Sequence, residues 1–318
     1  MGYDRTTVAR GRGQIVMSGV TLLSEDAIKV DLVSVPVPVN AANAGEVDRL
    51  DRDRFIEVSF TPIGQINAAN LALLYPILSK SYGASLLGSD DVPLDIYFEA
   101  GSKKITIHNA AVTQQPALDL RVGVNPFGPV KFTGIIRKGY SHGDAAALYT
   151  EATASYPGDA ELDLSEIKRA GVVASWGATS PWDEFYSGAG WKVSFGAELK
   201  ADGPDGMTAD WIVGNQKVTV SGRPKGITVA QALAQISGRF QGAAGVLGAT
   251  SLNNGGDDLI LTNADLYVCL YGASLNERQQ LLAAPQEDAV GNLTWTSSRT
   301  ITAGAVDPVA LVAIEAPV

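Results

Sequence analysis

The chain has 318 residues, of which 46% are hydrophobic and 18% charged, and its formal net charge at pH 7 is −10. This length suits two domains, and frequent glycine with many short apolar clusters favours a β-rich fold. No dense run of lysine and arginine occurs, which speaks against a nucleic-acid-binding protein. The sequence also has no 18-residue apolar stretch and no signal-peptide core at its N-terminus, so we expect a soluble protein made in a cytoplasm.

In chain order, the first half predicts a strand, a turn, a helix, a hairpin and a further strand. Ile56 and Val58 alternate with polar neighbours, which indicates a half-buried strand, and the sequence Pro-Ile-Gly at 62–64 predicts a turn directly after it. Residues 67–83 carry apolar side chains at helical spacing, and Pro76 is expected to kink or end this helix. A hairpin over 93–112 and a strand over 128–139 follow.

The second half repeats this order at an offset close to 162 residues. VSFTPIG at 58–64 and VSGRPKG at 220–226 match at four of seven positions. A predicted helix over 228–240, a predicted hairpin over 257–275 and a strand-like segment at 291–304 then follow in the same order. The matching turn positions are Pro62, Gly64, Pro224 and Gly226.

We interpret the repeat as the duplication of one domain. The predicted fold is mainly β, with sandwich- or barrel-forming antiparallel sheets and one flanking helix per domain. The first domain is expected at 1–150, a linker at 151–170 and the diverged second domain at 171–318. The alternative interpretation is chance, because any two β-rich segments share hairpins and Val-Ser pairs.

Residues that could carry catalysis are few. The only histidines, His108 and His142, lack a metal-binding spacing, and no G-x-S-x-G motif is present. The aspartate pairs 90–91 and 257–258 could hold Ca²⁺ for a hydrolase, although turn-capping carboxylates are the expected role. Cys269 lies in an apolar run and is expected to be a buried, unreactive side chain. We therefore expect no enzyme, no cofactor and no metal.

The five tryptophans all fall in the second half, at 176, 182, 191, 211 and 295. Flat aromatic side chains suit sugar rings, so a carbohydrate-binding β-sandwich module is one alternative function. Anchoring of a core or an interface is the more common use of tryptophan and is the expected one.

A series of short motifs runs through residues 54 to 140: FTPIG (60–64), LLYPI (73–77), GASLLG (83–88), DVPLDIYF and NAAVTQQP within 91–120, and GPVKFTGI (128–135). With this series the chain resembles the major tail protein, or tail tube protein, of long-tailed (siphovirus-type) bacteriophages. The resemblance covers about a quarter of the chain, and the second half keeps only the turn, helix and hairpin order.

The resemblance implies a structural virion protein of the tail, assembled in the host cytoplasm. Copies would form stacked rings whose inner sheets make a barrel around an acidic lumen, through which double-stranded DNA passes without specific binding. Since the chain is doubled, we expect rings of three chains with pseudo-sixfold symmetry. Tape-measure, tail-terminator and baseplate proteins are the implied partners. A distal tail or baseplate hub component is the nearest alternative.

The resemblance also implies a long loop that joins one ring to the next. Residues 35–55 are the candidate in the first half, and 196–210 contain its expected counterpart. Opposite charges on such loops can pair across the junction between rings. The candidate inter-ring residues are Glu46, Asp48, Arg49, Asp51, Arg52, Asp53 and Arg54.

Overall fold

The computed structural model describes residues 13–42, 45–63, 66–88, 91–99, 101–136, 147–158, 171–177, 182–203, 208–228, 230, 257–263, 266–275, 291–297, 301–302, 305–306 and 310–313. Almost all regular structure in these ranges is antiparallel β-strand. The predicted mainly β fold is therefore confirmed. Among these residues, no helix has the length and apolar character needed to cross a membrane.

The first half forms two antiparallel sheets whose apolar faces share one core. One sheet has the strand order β11-β7-β6-β1-β2-β5, and the other has the order β3-β4-β10-β8. Ile15 and Ile96 from the first sheet and Val58 and Phe132 from the second are buried in the same cluster. The elements are β1 (Gly13–Met17), β2 (Val20–Ser24), β3 (Lys29–Ala41), β4 (Gly45–Phe60), β5 (Pro62–Ile63), α1 (Ala68–Leu74), β6 (Leu94–Phe98), β7 (Lys103–Ile107), β8 (Ala110–Gln114), β9 (Leu118–Asp119), β10 (Val130–Ile135) and β11 (Tyr149–Thr153).

The second half forms one long sheet, in the order β17-β18-β14-β13-β12-β15-β16-β21. Its strand β13 takes the places of β2 and β3, which belong to two different sheets in the first half. Strand β9 of the first half also pairs with β13, and β19 and β20 form a separate two-stranded sheet. The elements are β12 (Val173–Trp176), β13 (Phe185–Asp202), β14 (Asp210–Lys225), β15 (Leu259–Asn263), β16 (Leu266–Leu270), β17 (Ser274–Leu275), β18 (Leu293–Thr296), β19 (Ile301–Thr302), β20 (Ala305–Val306) and β21 (Ala310–Ala313).

The two halves repeat not only strand order but also residue-to-residue register. Val58 of β4 lies opposite Phe132 of β10, and Val220 of β14 lies opposite Trp295 of β18. The partners in these two pairs are 162 and 163 positions apart. A one-residue slip in register would move every side chain to the wrong face of its sheet. Agreement in register therefore supports the sequence repeat more strongly than a shared order of elements does.

The repeated turn also has the same pairing in both halves. Pro62 of β5 lies opposite Ser24 of β2, and Pro224 at the end of β14 lies opposite Ser187 of β13. Strand β13 thus corresponds to β2 and β3 joined end to end, with a register irregularity after Ser187 in place of the turn between them. Gly226 has a left-handed φ of 85°, which glycine adopts without steric cost. Gly64 lies outside the described residues.

Helix α1 is shorter than the predicted helix over 67–83. Asn67 caps its start, since its side-chain oxygen accepts a hydrogen bond from the Asn70 N–H at 2.8 Å. The helix ends before Tyr75 because Pro76 has no N–H to donate and disfavours helical geometry at the residue before it. Of the helix predicted at 228–240, only residues 228 and 230 lie in the described part of the chain.

The boundary predicted at residue 150 falls inside a strand. Strand β11 extends to Thr153 and pairs with β7 at the edge of the first sheet, as β21 does with β16 in the second half. The linker predicted at 151–170 overlaps the end of this strand, and its portion from 159 onwards lies outside the described residues. The domain limits stay a prediction, since one apolar cluster contains side chains from both halves.

Four of the five tryptophans lie in the core of the second half. Trp176, Trp182, Trp191 and Trp295 are each at most 8% exposed and pack edge-on or tilted with one another and with Phe185. Such edge-to-face contacts stabilise a core beyond the burial of area alone. These tryptophans form a packing centre and present no exposed aromatic face.

Cys269 is expected to resist alkylation in the folded protein. It is 2% exposed, and burial raises the pKa of its thiol to about 11. At pH 8 only about one thiol in a thousand would then be the reactive thiolate. We expect iodoacetamide to label the native chain far more slowly than the chain unfolded in guanidinium, as measured by intact mass. Equal labelling rates in the two states would contradict the buried position.

Candidate assembly surface

Residues 35–55, predicted as a loop, instead form most of a long β-hairpin. Strands β3 and β4 pair from Lys29 opposite Ser59 to Ala41 opposite Gly45. Alternating valines in β3 and alternating charges in β4 suit strands with exposed faces, which explains why the segment pairs rather than loops. The counterpart predicted at 196–210 likewise contains the end of β13 and the start of β14, which form the second long hairpin.

The second hairpin is fixed to the first half along a sheet edge. Asp119 and Leu118 of β9 lie opposite Lys192 and Val193 of β13, and the N–H of Leu120 donates to the carbonyl of Trp191 at 2.8 Å. A strand of one half thus extends the sheet of the other. This pairing covers an edge that would otherwise expose unpaired backbone groups.

The opposite edge of the hairpin is also paired, by the chain segment at 83–87. The N–H of Gly83 donates to the carbonyl of Val213 at 2.8 Å, and the N–H of Val213 donates to the carbonyl of Ala84 at 2.9 Å. The N–H of Leu86 donates to the carbonyl of Trp211 at 2.8 Å. Gly83 has a left-handed φ of 80°, which turns the chain into this position after the helix.

Asp210, at the start of β14, closes this contact. Its side chain is 4% exposed, and its Oδ1 accepts hydrogen bonds from the N–H groups of Leu87 at 3.1 Å and Trp211 at 2.6 Å. Its Oδ2 accepts a hydrogen bond from the Ser85 hydroxyl. A buried carboxylate is stable only where donors replace its lost water. The three donors, two of them from the first half, supply that replacement.

Gln216 makes a second polar contact between the halves. Its Nε2 donates to the carbonyls of Ile77 at 2.9 Å and Lys80 at 3.0 Å. These carbonyls lie just after helix α1, where Pro76 has ended the regular hydrogen bonding. The buried amide therefore adds a second donor to the Ile77 carbonyl, which also accepts from the N–H of Lys80 at 3.0 Å, and supplies a donor to the Lys80 carbonyl.

Apolar packing surrounds these polar contacts. The rings of Tyr75 and Phe195 lie 4.8 Å apart, so the end of the helix rests on β13. A second cluster joins side chains of both halves beneath residues 83–87. Its members are Ile77, Leu86, Leu87, Ala111, Ile135 and Val213, with Phe55, Ala197, Leu199 and Trp211 packed against them.

The end of the second hairpin reaches the first hairpin. Asp53 accepts hydrogen bonds through Oδ2 from the N–H of Thr208 at 3.1 Å and from its hydroxyl at 2.6 Å. A cleft of about 460 Å³ remains between the two, lined among others by Phe55, Glu57 and Lys131. One of the predicted inter-ring residues thus makes a contact within its own chain.

The two hairpins have the same register over their shared length, which is 29–39 in β3 and 192–202 in β13. Each contains an irregularity that leaves one extra residue on its second strand, at an equivalent place. Such bulges bend a strand pair in a defined direction. The flanking cross-strand pairs are Ala197–Gln216 and Leu199–Val213 in the second hairpin, and Ser34–Arg54 and Pro36–Asp51 in the first.

Because of this register, each side chain of the second hairpin that packs on the first half has a counterpart on the first hairpin. No described residue covers these counterparts. Leu32 stands at the place of Phe195 and is 67% exposed. Four further exposed apolar side chains, Val37, Val39, Val47 and Leu50, lie on the same hairpin. The remaining counterparts are Asp48 for Asp210, Arg49 for Trp211, Asp51 for Val213 and Arg54 for Gln216.

The structure spreads the predicted inter-ring residues along β4 rather than around a loop. Arg49 pairs with Glu46, Asp51 accepts from the Ser34 hydroxyl at 2.5 Å, and Asp48 accepts from the N–H of Arg49 at 2.8 Å. Asp53 contacts Thr208 as described, and Arg52 and Arg54 lie in the same strand. Sequence reasoning missed Ser85, Asp210, Gln216 and Thr208, although the 162-residue offset from Asp48 to Asp210 was a usable signal.

One aspartate of each pair, Asp91 and Asp258, caps a turn, which is the expected role. Asp91 accepts at 2.6 Å from the N–H of Asn109, whose φ is 47°, and its other oxygen lies 2.9 Å from His108 Nδ1. Asp258 accepts at 2.9 Å from the N–H of Gly272, whose φ is 54°. In the described ranges no group of three or more His, Cys, Asp or Glu could hold a metal. Asp90 and His142 lie outside those ranges.

Comparison with known proteins adds no relative to this picture. No protein-family model matches the chain, and no curated protein has a significantly similar sequence. Function is therefore argued from the geometry of the two hairpins.

Replacing Asp210 by alanine is expected to lower the free energy of unfolding by about 2–3 kcal/mol, because buried donors lose their acceptor. The matched control is Asp48→Ala, the same change at the exposed counterpart, which should cost no more than about 0.5 kcal/mol in the dissociated chain. Urea unfolding followed by tryptophan fluorescence measures both. Equal losses in the two variants would show that Asp210 does not secure the docked hairpin.

Proposed function

We propose that this protein is a structural subunit that assembles head to tail with copies of itself into rings, which stack as the tail tube of a long-tailed bacteriophage. One observation carries the proposal. The second hairpin is docked on the first half of its own chain, whereas the equivalent surface of the first hairpin is exposed. In the proposed assembly, the second half of a neighbouring chain covers this surface.

We call the proposed contact between the first hairpin of one chain and the second half of the next chain the joint. The edge of β3 supports it. At Lys29 and Val30 this strand repeats the positions of Lys192 and Val193 in β13, where β9 pairs. Strand β3 is the end strand of its sheet, so its outer backbone groups are open to pairing within the described structure. An exposed, apolar edge strand is otherwise an aggregation hazard, and a dedicated partner removes the hazard.

The joint is heterologous, since it brings two different surfaces together. Interfaces of this kind close into rings when the rotation between neighbours divides a full turn, and they form open helices when it does not. Each chain contains one contact of this kind, between its own two halves, and forms a second one with the next chain. A ring of three chains then has six similar lobes, which is the pseudo-sixfold arrangement expected of a doubled subunit.

The tube function rests on two further supports. The motif series at 54–140 resembles tail tube proteins, and that family implies stacked rings, a virion location and the tail partners named above. The net charge of −10 is the second support, since an acidic protein suits a channel along which DNA phosphates slide without adhering.

Electron microscopy of the purified chain at high concentration tests the proposal. We expect rings or tubes whose end-on views show six lobes, and a ring mass of three chains. A single ring that never stacks would favour the distal tail or hub role, and six chains in a ring would contradict the doubled joint. Monomers at every concentration and salt would contradict assembly altogether.

A matched pair of variants locates the joint. Leu32 and Val122 are 67% and 65% exposed, but only Leu32 lies on the first hairpin. Leu32→Glu should abolish the rings, because a charge would be buried in the joint, while Val122→Glu should leave them intact. Rings from both variants would show that the first hairpin is not the contact.

A further inference from the structure

We infer that the joint between chains is ionic at the positions where the joint within the chain is apolar, with Asp51 of one chain facing Lys217 of a second copy. The inference rests on the proposed head-to-tail assembly and names the contact that drives it. Its consequence is that the doubled chain is the permanent unit, while its polymerisation depends on salt.

The residues that each hairpin presents to its partner differ in polarity between the two hairpins. In the second hairpin, Val213 is fully buried in the cluster between the halves, and Trp211 packs against it. Their counterparts on the first hairpin are Asp51 and Arg49, both exposed. The backbone register is the same in both cases, so the same surface is presented with charges in place of apolar side chains.

The surface against which each hairpin packs also changes from apolar to charged. Phe55 of the first half packs against the same cluster as Val213. Its counterpart in the second half is Lys217, because Phe55 lies opposite Val33 and Lys217 lies opposite Gly196 at the equivalent register. Lys217 is exposed. Two apolar side chains of one cluster inside the chain thus correspond to a carboxylate and an ammonium at the proposed contact between chains.

The prolines of β3 limit backbone pairing in the joint, so the charged side chains matter more there. Pro36 and Pro38 take the places of Leu199 and Ala201, and proline cannot donate a hydrogen bond to an added strand. Further strand pairing along this part of the edge is therefore limited. The outer half of the joint then depends on side-chain contacts, and here those side chains are charged.

Exposed charge pairs weaken as salt rises, since the Debye length falls from about 8 Å at 0.15 M to about 3 Å at 1 M. Sedimentation velocity at both salt concentrations measures the assembled fraction. We expect at least about tenfold weaker association at 1 M, with no change in the urea midpoint of the dissociated chain. Association that is equal at both salts would overturn the inference and leave the proposed ring intact.

Charge reversal identifies the pair. Asp51→Lys and Lys217→Glu should each weaken association at 0.15 M by at least about tenfold, because like charges then meet in the joint. The double variant should restore association, since the opposite charges are merely exchanged. Both residues are exposed, so neither single change should alter unfolding of the dissociated chain.

Two results would overturn the pairing. Single variants that assemble as well as the parent chain would show that the two residues do not meet, and a double variant that stays dissociated would show that each acts elsewhere. A parent chain that fails to assemble at any salt would overturn the proposed function itself, which keeps the two failures distinct.

Discussion

The whole arrangement depends on one constraint: each half of the chain carries a long hairpin that it cannot cover by itself. A hairpin with an apolar face and an open edge is unstable in water unless another sheet packs on it. In the second half this need is met by the first half, through β9 on one edge, residues 83–87 on the other and Asp210 at the hairpin end. In the first half no described residue meets it.

In the proposed assembly, this asymmetry turns a requirement of folding into a rule for association between chains. The two hairpins share their register and their bulge. Under the proposed function, the covered hairpin is therefore the template for how a second copy covers the exposed one. Charged residues, among them Arg49 and Asp51, are exposed at the outer end of the first hairpin, and natural edge strands use such charges to avoid unspecific pairing.

Much of the fold could be predicted from the sequence, since the repeat gave both halves the same order of elements and matched Phe132 with Trp295, which the structure places at equivalent positions opposite Val58 and Val220. The buried Cys269 and the turn-capping Asp91 also followed from local patterns. Residues 35–55 were misjudged because charged, solvent-facing strands have the composition of a loop. Asp210 and Gln216 were missed for a different reason. Their partners lie more than 120 positions away in the chain, where no local period connects them.

Hydrogen exchange on dissociated and assembled protein tests the central claim most directly, because it compares the two hairpins within one sample. Backbone amides at the base of β13, residues 192–196, should be protected in both states, since β9 pairs with the start of this stretch at Lys192 and Val193 in the single chain. Amides at 29–33 in β3 should exchange quickly in the dissociated chain and become about tenfold or more slower on assembly. Protection at 29–33 that is unchanged by assembly would contradict the claim that a second copy covers the first hairpin.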